Sequence, residues 1–245
     1  MGGRTVAAPS FADSAVVELR QYTLRPGRRD ELVALFEAEL VAPQEACGMT
    51  IGGLFRDLDD PDRFVWQRGF ADMAGRHRAL ESFYGGQVWR EHGPAANATM
   101  LDSDDVLLLR ATDPPHPPPA SEPGPGSGVV SVGVIRAGDD PARESLLATR
   151  GHEVLEEGLG AAVALWRTEP TPNTYPALPV RAERVVVWQA TFPGESARHA
   201  ALERLDASST WRRLVGGPGS AYGERRLRLR PTGRSRHPHA GSVRR

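Results

Sequence analysis

Lysine is missing from this chain: all 30 basic side chains are arginine. An amine nucleophile or Schiff base is thereby excluded, whereas guanidinium groups, which stay charged and present a fixed fork of donors to oxyanions, are plentiful. Cysteine is scarce too. Cys47, alone in the sequence, can neither close an intrachain disulfide nor build a thiolate zinc or iron–sulfur centre. Neither sign of charge is in excess, with 31 acidic residues against 30 basic ones, so no global field draws the protein to nucleic acid or anionic lipid. No run approaches the roughly 20 apolar residues of a membrane span, and residues 1–14 lack the apolar centre of a secretion signal. The expectation is a cytoplasmic protein with neither membrane nor nucleic-acid partners. Gly-rich phosphate loops, Ser-His-Asp spacing and paired metal carboxylates are also missing, so no metal and no cofactor is expected.

What is present is enough apolar residue, 40% of the chain, to build a core. Seven prolines between Ala111 and Gly128 mark 111–128 as a linker, because such a composition favours extended polyproline geometry. Residues 231–245 are Arg-rich and without periodicity, and are expected to be a disordered tail. Two modules remain, 15–110 and 129–230, and they are related. Adding 122 to the residue number carries Val65, Trp66, Gln67, Phe70, Arg76, His77, Ala79, Leu80, Glu81, Trp89 and Arg90 onto identical residues, 11 in 26 ungapped positions. Chance gives about one or two, so the modules read as diverged repeats.

The first module starts with Val16–Thr23, whose alternation fits a strand ended by Pro26-Gly27. Leu32, Leu35, Phe36 and Leu40 recur at helical spacing within 28–41. Residues 50–57 and 63–70 read as strands joined by the turn sequence LDDPD, Asp72 as the cap of a helix reaching Tyr84, and 105–110 as a last strand. The second module repeats this order with strands at 129–136, 161–167, 184–192 and 222–230. Its first helix is opened by Asp140-Pro141 and its second starts near Glu195. The fold class is α+β, as tandem βαββαβ repeats.

The run Glu18-Leu19-Arg20-Gln21-Tyr22-Thr23-Leu24-Arg25-Pro26-Gly27, followed by Phe64-Val65-Trp66 and by the helix holding Arg76 with Trp89 beyond it, resembles the NIPSNAP family. That resemblance implies ferredoxin-like units of the dimeric α/β-barrel superfamily, whose sheets combine to close a β-barrel with the helices outside. Here the partner unit is expected in the same chain, as an intrachain pseudo-dimer that leaves room for further homo-oligomerisation. Superfamily relatives include cofactor-free oxygenases, polyketide cyclases, isomerases and haem enzymes, and fold analogy does not choose among them.

Glu18, Arg20 and Tyr22 share one face of their strand, and Val17 and Leu19 the other. With the apolar face assigned to the helices, the carboxylate, guanidinium and phenol are expected inside the barrel. There they form either an internal ion network with Arg68 that fixes packing, or a catalytic set. In the catalytic set Arg20 binds an anionic or enolate oxygen while Glu18 or Tyr22 transfers a proton. Trp66, Arg68, Phe70 and the repeated Trp188 offer aromatic surface to a flat ligand, and His77 lies on a helical face with Met73, Leu80 and Tyr84. In the second module Ser131, Gly133 and Ile135 replace Glu18, Arg20 and Tyr22, so any polar site belongs to the first. Two functions compete: a small aromatic or polyketide-like metabolite bound in the barrel cavity, with cofactor-independent oxygenase, cyclase or isomerase chemistry, or a non-catalytic interaction or scaffold protein.

Overall fold

Alternating apolar residues form the eight strands, and Pro-Gly, Asp-rich and capped turns separate them. The structure, a computed structural model, describes residues 10–118, 128–138, 140–216 and 223–233. In the first half β1 (Val16–Leu24) leads into α1 (Arg29–Leu35), a π-helical turn (Phe36–Leu40) and α2 (Val41–Ala46). Pro43 cannot donate to the carbonyl of Glu39, and the helix widens into the π turn just before it. Then come β2 (Thr50–Asp57), β3 (Arg63–Phe70), α3 (Met73–Tyr84), α4 (Gln87–Ala98) and β4 (Met100–His116). Asp72 caps α3, accepting from the Gly75 N–H at 2.5 Å. The second half has the same order: β5 (Val129–Arg136), α5 (Pro141–Leu159), β6 (Val163–Thr168), β7 (Val185–Phe192), α6 (Glu195–Ala207), α7 (Ser209–Val215) and β8 (Glu224–Pro231). Asp140 caps α5 with Pro141 in its first turn, and Gly160, at φ 62°, takes the left-handed conformation that ends it.

Helices α4 and α7 are additions to the sequence reading, which stopped each half's helices one short. Strand β4 also exceeds its expected bounds. It pairs Ala111 with Trp166 and His116 with Leu165, so residues 111–116 of the expected linker are strand. Residues 119–127 of that linker, Tyr222 and residues 234–245 of the expected tail lie outside the described residues.

The strands close into one antiparallel barrel in the order β1-β3-β2-β8-β5-β7-β6-β4. Each half contributes a four-stranded sheet, β4-β1-β3-β2 and β8-β5-β7-β6. The sheets join edge to edge, β2 with β8 (Phe55↔Pro231 to Asp57↔Leu229) and β4 with β6. Closure leaves no unpaired edge.

The barrel interior reverses the expected facing of β1. Val17 and Leu19 point inward and pack with Phe55, Val65, Val132, Trp166 and Leu227 in a core drawn from all eight strands. An eight-stranded barrel is just wide enough for its own side chains to fill, and these fill it. Glu18, Arg20 and Tyr22 therefore point outward, into the layer between sheet and helices, as do Trp66, Arg68 and Phe70, which alternate with the inward Val65 and Gln67. The predicted barrel cavity is absent among the described residues because valine and leucine occupy it. Inside the barrel Gln67 donates to Gln189, Nε2 to Oε1, at 3.0 Å. These two residues are equivalents under the 122-residue offset. A residue meets its own counterpart only near the axis relating two halves.

Candidate functional site

The outer face of the first half's sheet is covered by α1 to α4, and most of this layer is apolar: Leu24, Leu32, Phe36, Leu40, Phe64 and Leu80 are buried there. Into it the sequence places one carboxylate and three guanidiniums. Register sets Arg68 of β3 directly opposite Glu18 of β1, and Trp66 opposite Arg20. From above, the first turns of α3 bring Arg76. Glu18 accepts from Arg20 Nη1 and Arg68 Nε through Oε2 and from Arg76 Nε through Oε1, each at 2.7 Å. Glu18, Arg68 and Arg76 are 0% exposed and Arg20 1%.

Buried charge is tolerated only when paired and hydrogen-bonded, and here the pairing is uneven. Among the described residues Glu18 is the carboxylate that these three arginines bond, so the cluster carries a net charge of +2. Burial alone would push the Glu18 carboxyl up; the charges of Arg68, Arg20 and Arg76 outweigh it and hold the group well below the usual carboxylate range. Burial would likewise favour loss of the Arg20 proton, but Tyr22 and Glu18 keep it charged. Burial raises the Tyr22 phenol despite the neighbouring Arg20, so Tyr22 is a neutral hydroxyl that accepts from Arg20 Nε at 2.9 Å. Arg68 Nη1 reaches Gln44 Oε1 and Tyr84 Oη, both at 3.3 Å. The guanidiniums of Arg20 and Arg68 lie 5.6 and 5.3 Å from the Trp66 ring centroid, within cation–π range.

Donor capacity is left over. Arg68 Nη2, Arg76 Nη2 and the Trp66 indole N–H are buried and have no partner among the described residues, a condition that costs about 1–3 kcal/mol per group and marks a place for an acceptor. Trp66 also lines a cavity of about 20 Å³, room for one water, together with Tyr22, Phe36, Phe83, Tyr84 and Trp89.

Of the expected site residues, Glu18, Arg20, Tyr22, Trp66, Arg68 and Phe70 are brought together. His77 is not: it sits at the exposed rim, its Nδ1 2.7 Å from the Thr174 carbonyl oxygen, while its neighbour Arg76 takes the buried position. Trp188 belongs to the other half, where its indole N–H donates to Glu224 at 2.7 Å. That ring lies over Gly133, where a Cβ would fall 1.9 Å from Trp188 Nε1; the second half has filled the space of Arg20 with tryptophan. Arg198, the counterpart of Arg76, donates to Ser131 Oγ at 2.8 Å in the place of Glu18. Arg76, Gln44 and Tyr84 escaped sequence reasoning as site residues. The signal for Arg76 was its repetition as Arg198, since a buried strand position in each half needs a partner from the same helix. No group of three metal-ligating side chains occurs among the described residues, and no helix there is long and apolar enough to cross a membrane.

The NIPSNAP family model matches residues 17–114. Three solved structures match nearly the whole chain. One, from Fusobacterium nucleatum and described as a "putative monooxygenase", is 8% identical with a TM-score of 0.56, covering 88% of this chain and 91% of its own. A protein with the same description from Lactobacillus acidophilus NCFM is 10% identical, TM-score 0.53, covering 88% and 93%. An anthrone oxidase-like protein is 13% identical, TM-score 0.52, covering 91% and 94%. At these identities the likeness is one of fold. No curated protein matches the chain significantly.

Proposed function

We propose, from the match of residues 17–114 to the NIPSNAP family model, that the chain binds a small aromatic or polyketide-like metabolite through an anionic oxygen, in the layer between sheet and helices of its first half. The observation that carries this reading is the fully buried cluster of three arginines on one glutamate, which leaves buried donors on Arg68, Arg76 and Trp66 unpaired, the last of these residues being a wall of an aromatic cavity. A net positive, water-poor pocket stabilises negative charge on oxygen more strongly than solvent can. The second half is a diverged copy that keeps the fold and has lost this chemistry, and it serves as the closing half of the barrel.

The charges also narrow the chemistry. Glu18, held far below the ordinary carboxylate range and saturated by three donors, is a poor base, and Tyr22 stays protonated. The ligand must therefore bring its own acidity, as a phenol, an enolisable carbonyl or a carboxylic acid. Arg68 and Arg76 would hold its oxyanion, with Trp66 and Tyr84 against its ring. An enolate or phenolate so held is the species that oxygenase, cyclase and isomerase chemistry without a cofactor starts from. The anthrone oxidase-like neighbour carries a name in keeping with such a ligand.

The test is absorbance titration of p-nitrophenol with the full-length protein. Binding should lower the apparent pKa of the bound phenol by about one unit or more, since each unit corresponds to roughly 1.4 kcal/mol of preference for the anion. No binding, or a bound phenol with its solution pKa, would falsify the reading. A second reading, a purely structural ion cluster, is favoured by the small size of the cavity, and it predicts that negative result.

A further inference from the structure

The connection between β6 and β7, residues 169–184, has no counterpart in the first half, where β2 and β3 are joined by residues 58–62. Only its last residues rejoin its own half, Arg184 through Glu144 and the Ala137 N–H. Its ends are pinned to β4 of the first half, with Glu169 N–H donating to the Leu108 carbonyl at 2.9 Å and Arg181 N–H to that of Val106 at 2.8 Å. Between these pins Tyr175, Leu178 and Val180 pack against the apolar layer of the first half. Tyr175 stacks on Tyr84, centroids 6.1 Å apart at 26°, and Tyr84 is a wall of the cavity.

Asn173 is the pin of this strap. Its Oδ1 accepts from Arg76 Nη1 and from the Tyr175 N–H, both at 3.0 Å, while its Nδ2 donates to the Leu178 carbonyl at 2.8 Å. Thr174 adds a second acceptor for Arg76 Nη1 at 3.3 Å. The Arg76 fork is thereby divided. Nε is given to Glu18, Nη1 to the strap, and Nη2 is left buried without a partner.

Resting on the functional reading above, we propose that the strap of the second half is the closing wall of the first half's site, and that Asn173 is a positioning residue that aims Arg76 Nη2 at the ligand oxygen. The small aromatic cavity has room for one water and is walled by Tyr84, on which the strap's Tyr175 stacks, so an aromatic ring enters only when the strap lifts and the Arg76–Asn173 bond breaks. The half that lost its own charged set has kept a part in the other half's site.

Stopped-flow measurement of p-nitrophenolate binding to full-length protein separates the roles. In Asn173→Ala the cluster charge is unchanged but the latch is gone. Dissociation should be about tenfold faster, the factor for losing one hydrogen bond to a charged group, and the acidification of the bound phenol should weaken because Arg76 Nη2 is no longer aimed at its oxygen. In Asn173→Asp the acceptor for Arg76 is kept and a negative charge is added. Dissociation should be no faster than in wild type, while the acidification shrinks because the net charge falls from +2 to +1. A melting curve checks that each variant is folded, and a residue of merely structural importance would move that curve without splitting rate from acidification. Binding whose rates both variants leave unchanged overturns this inference alone. Failure of the wild type to bind overturns the functional reading and this inference with it.

Discussion

Replacing Glu18 by glutamine tests the electrostatics of the cluster more sharply than replacing any of its arginines. Glu18 accepts three charge-assisted bonds of 2.7 Å and is the group that keeps three buried guanidiniums from facing one another uncompensated. Glu18→Gln raises the cluster from +2 to +3 and puts an amide, half donor, against donors. Removing one partner of a buried ion pair costs about 3–5 kcal/mol, which for a chain of this size lowers the melting temperature by roughly 6–20 °C. Arg20→Met behaves differently. Glu18 keeps Arg68 and Arg76, the excess charge falls to +1, and the losses are one bond to Glu18 and one to Tyr22. About 1–2 kcal/mol is expected, the net worth of a hydrogen bond or two. Urea unfolding followed by circular dichroism at neutral pH gives both values. An Arg20→Met variant that loses as much stability as Glu18→Gln would show that the cluster is a balanced pair network without excess positive charge, and the reasoning would fail with it.

Inside the barrel, Gln67→Leu or Gln189→Leu alone should cost about 1–3 kcal/mol by stranding the other amide, whereas the double change should be nearly neutral; a double mutant no better than the sum of the singles refutes the pairing. His116 lies against His152, ring centroids 3.6 Å apart and planes tilted by 30°, and burial, with the charge of His152, lowers its imidazole below the ordinary 6.5. The unfolded chain then takes up a proton before the folded one as pH falls through about 6.5, so this group's contribution makes stability decline from there downward. Urea midpoints measured between about pH 8 and pH 5 should fall less steeply in His116→Gln than in wild type, and parallel profiles would contradict the assignment.

Much of the fold was legible along the chain. The bounds of β2 and β3, Asp72 as a cap, the Asp140-Pro141 start of α5 and the equivalence of Gln67 with Gln189 come from period, turn chemistry and self-similarity, all of which are local or carried by residue identity. That Glu18, Arg20 and Tyr22 share a face, with Arg68 and Trp66 on a matching one, also follows from the pleat. Which side of the sheet that face meets does not. Both sides of β1 are covered, one by the barrel interior and one by helices, so Val17 and Leu19 fit either, and the period of two is unchanged when the faces are exchanged. Closure of eight strands decided it, since a barrel of that width has room for valine and leucine and none for three arginines. The strap lay further beyond the sequence. Residues 169–184 are read there as an insertion, and contact with Arg76, some hundred residues away, arises only because β4 and β6 are neighbours in the closed ring. The elements, their order and the residues able to carry charge are legible along the chain; the side on which that charge is buried and the distant segment that covers it are not, because both depend on how the two sheets join.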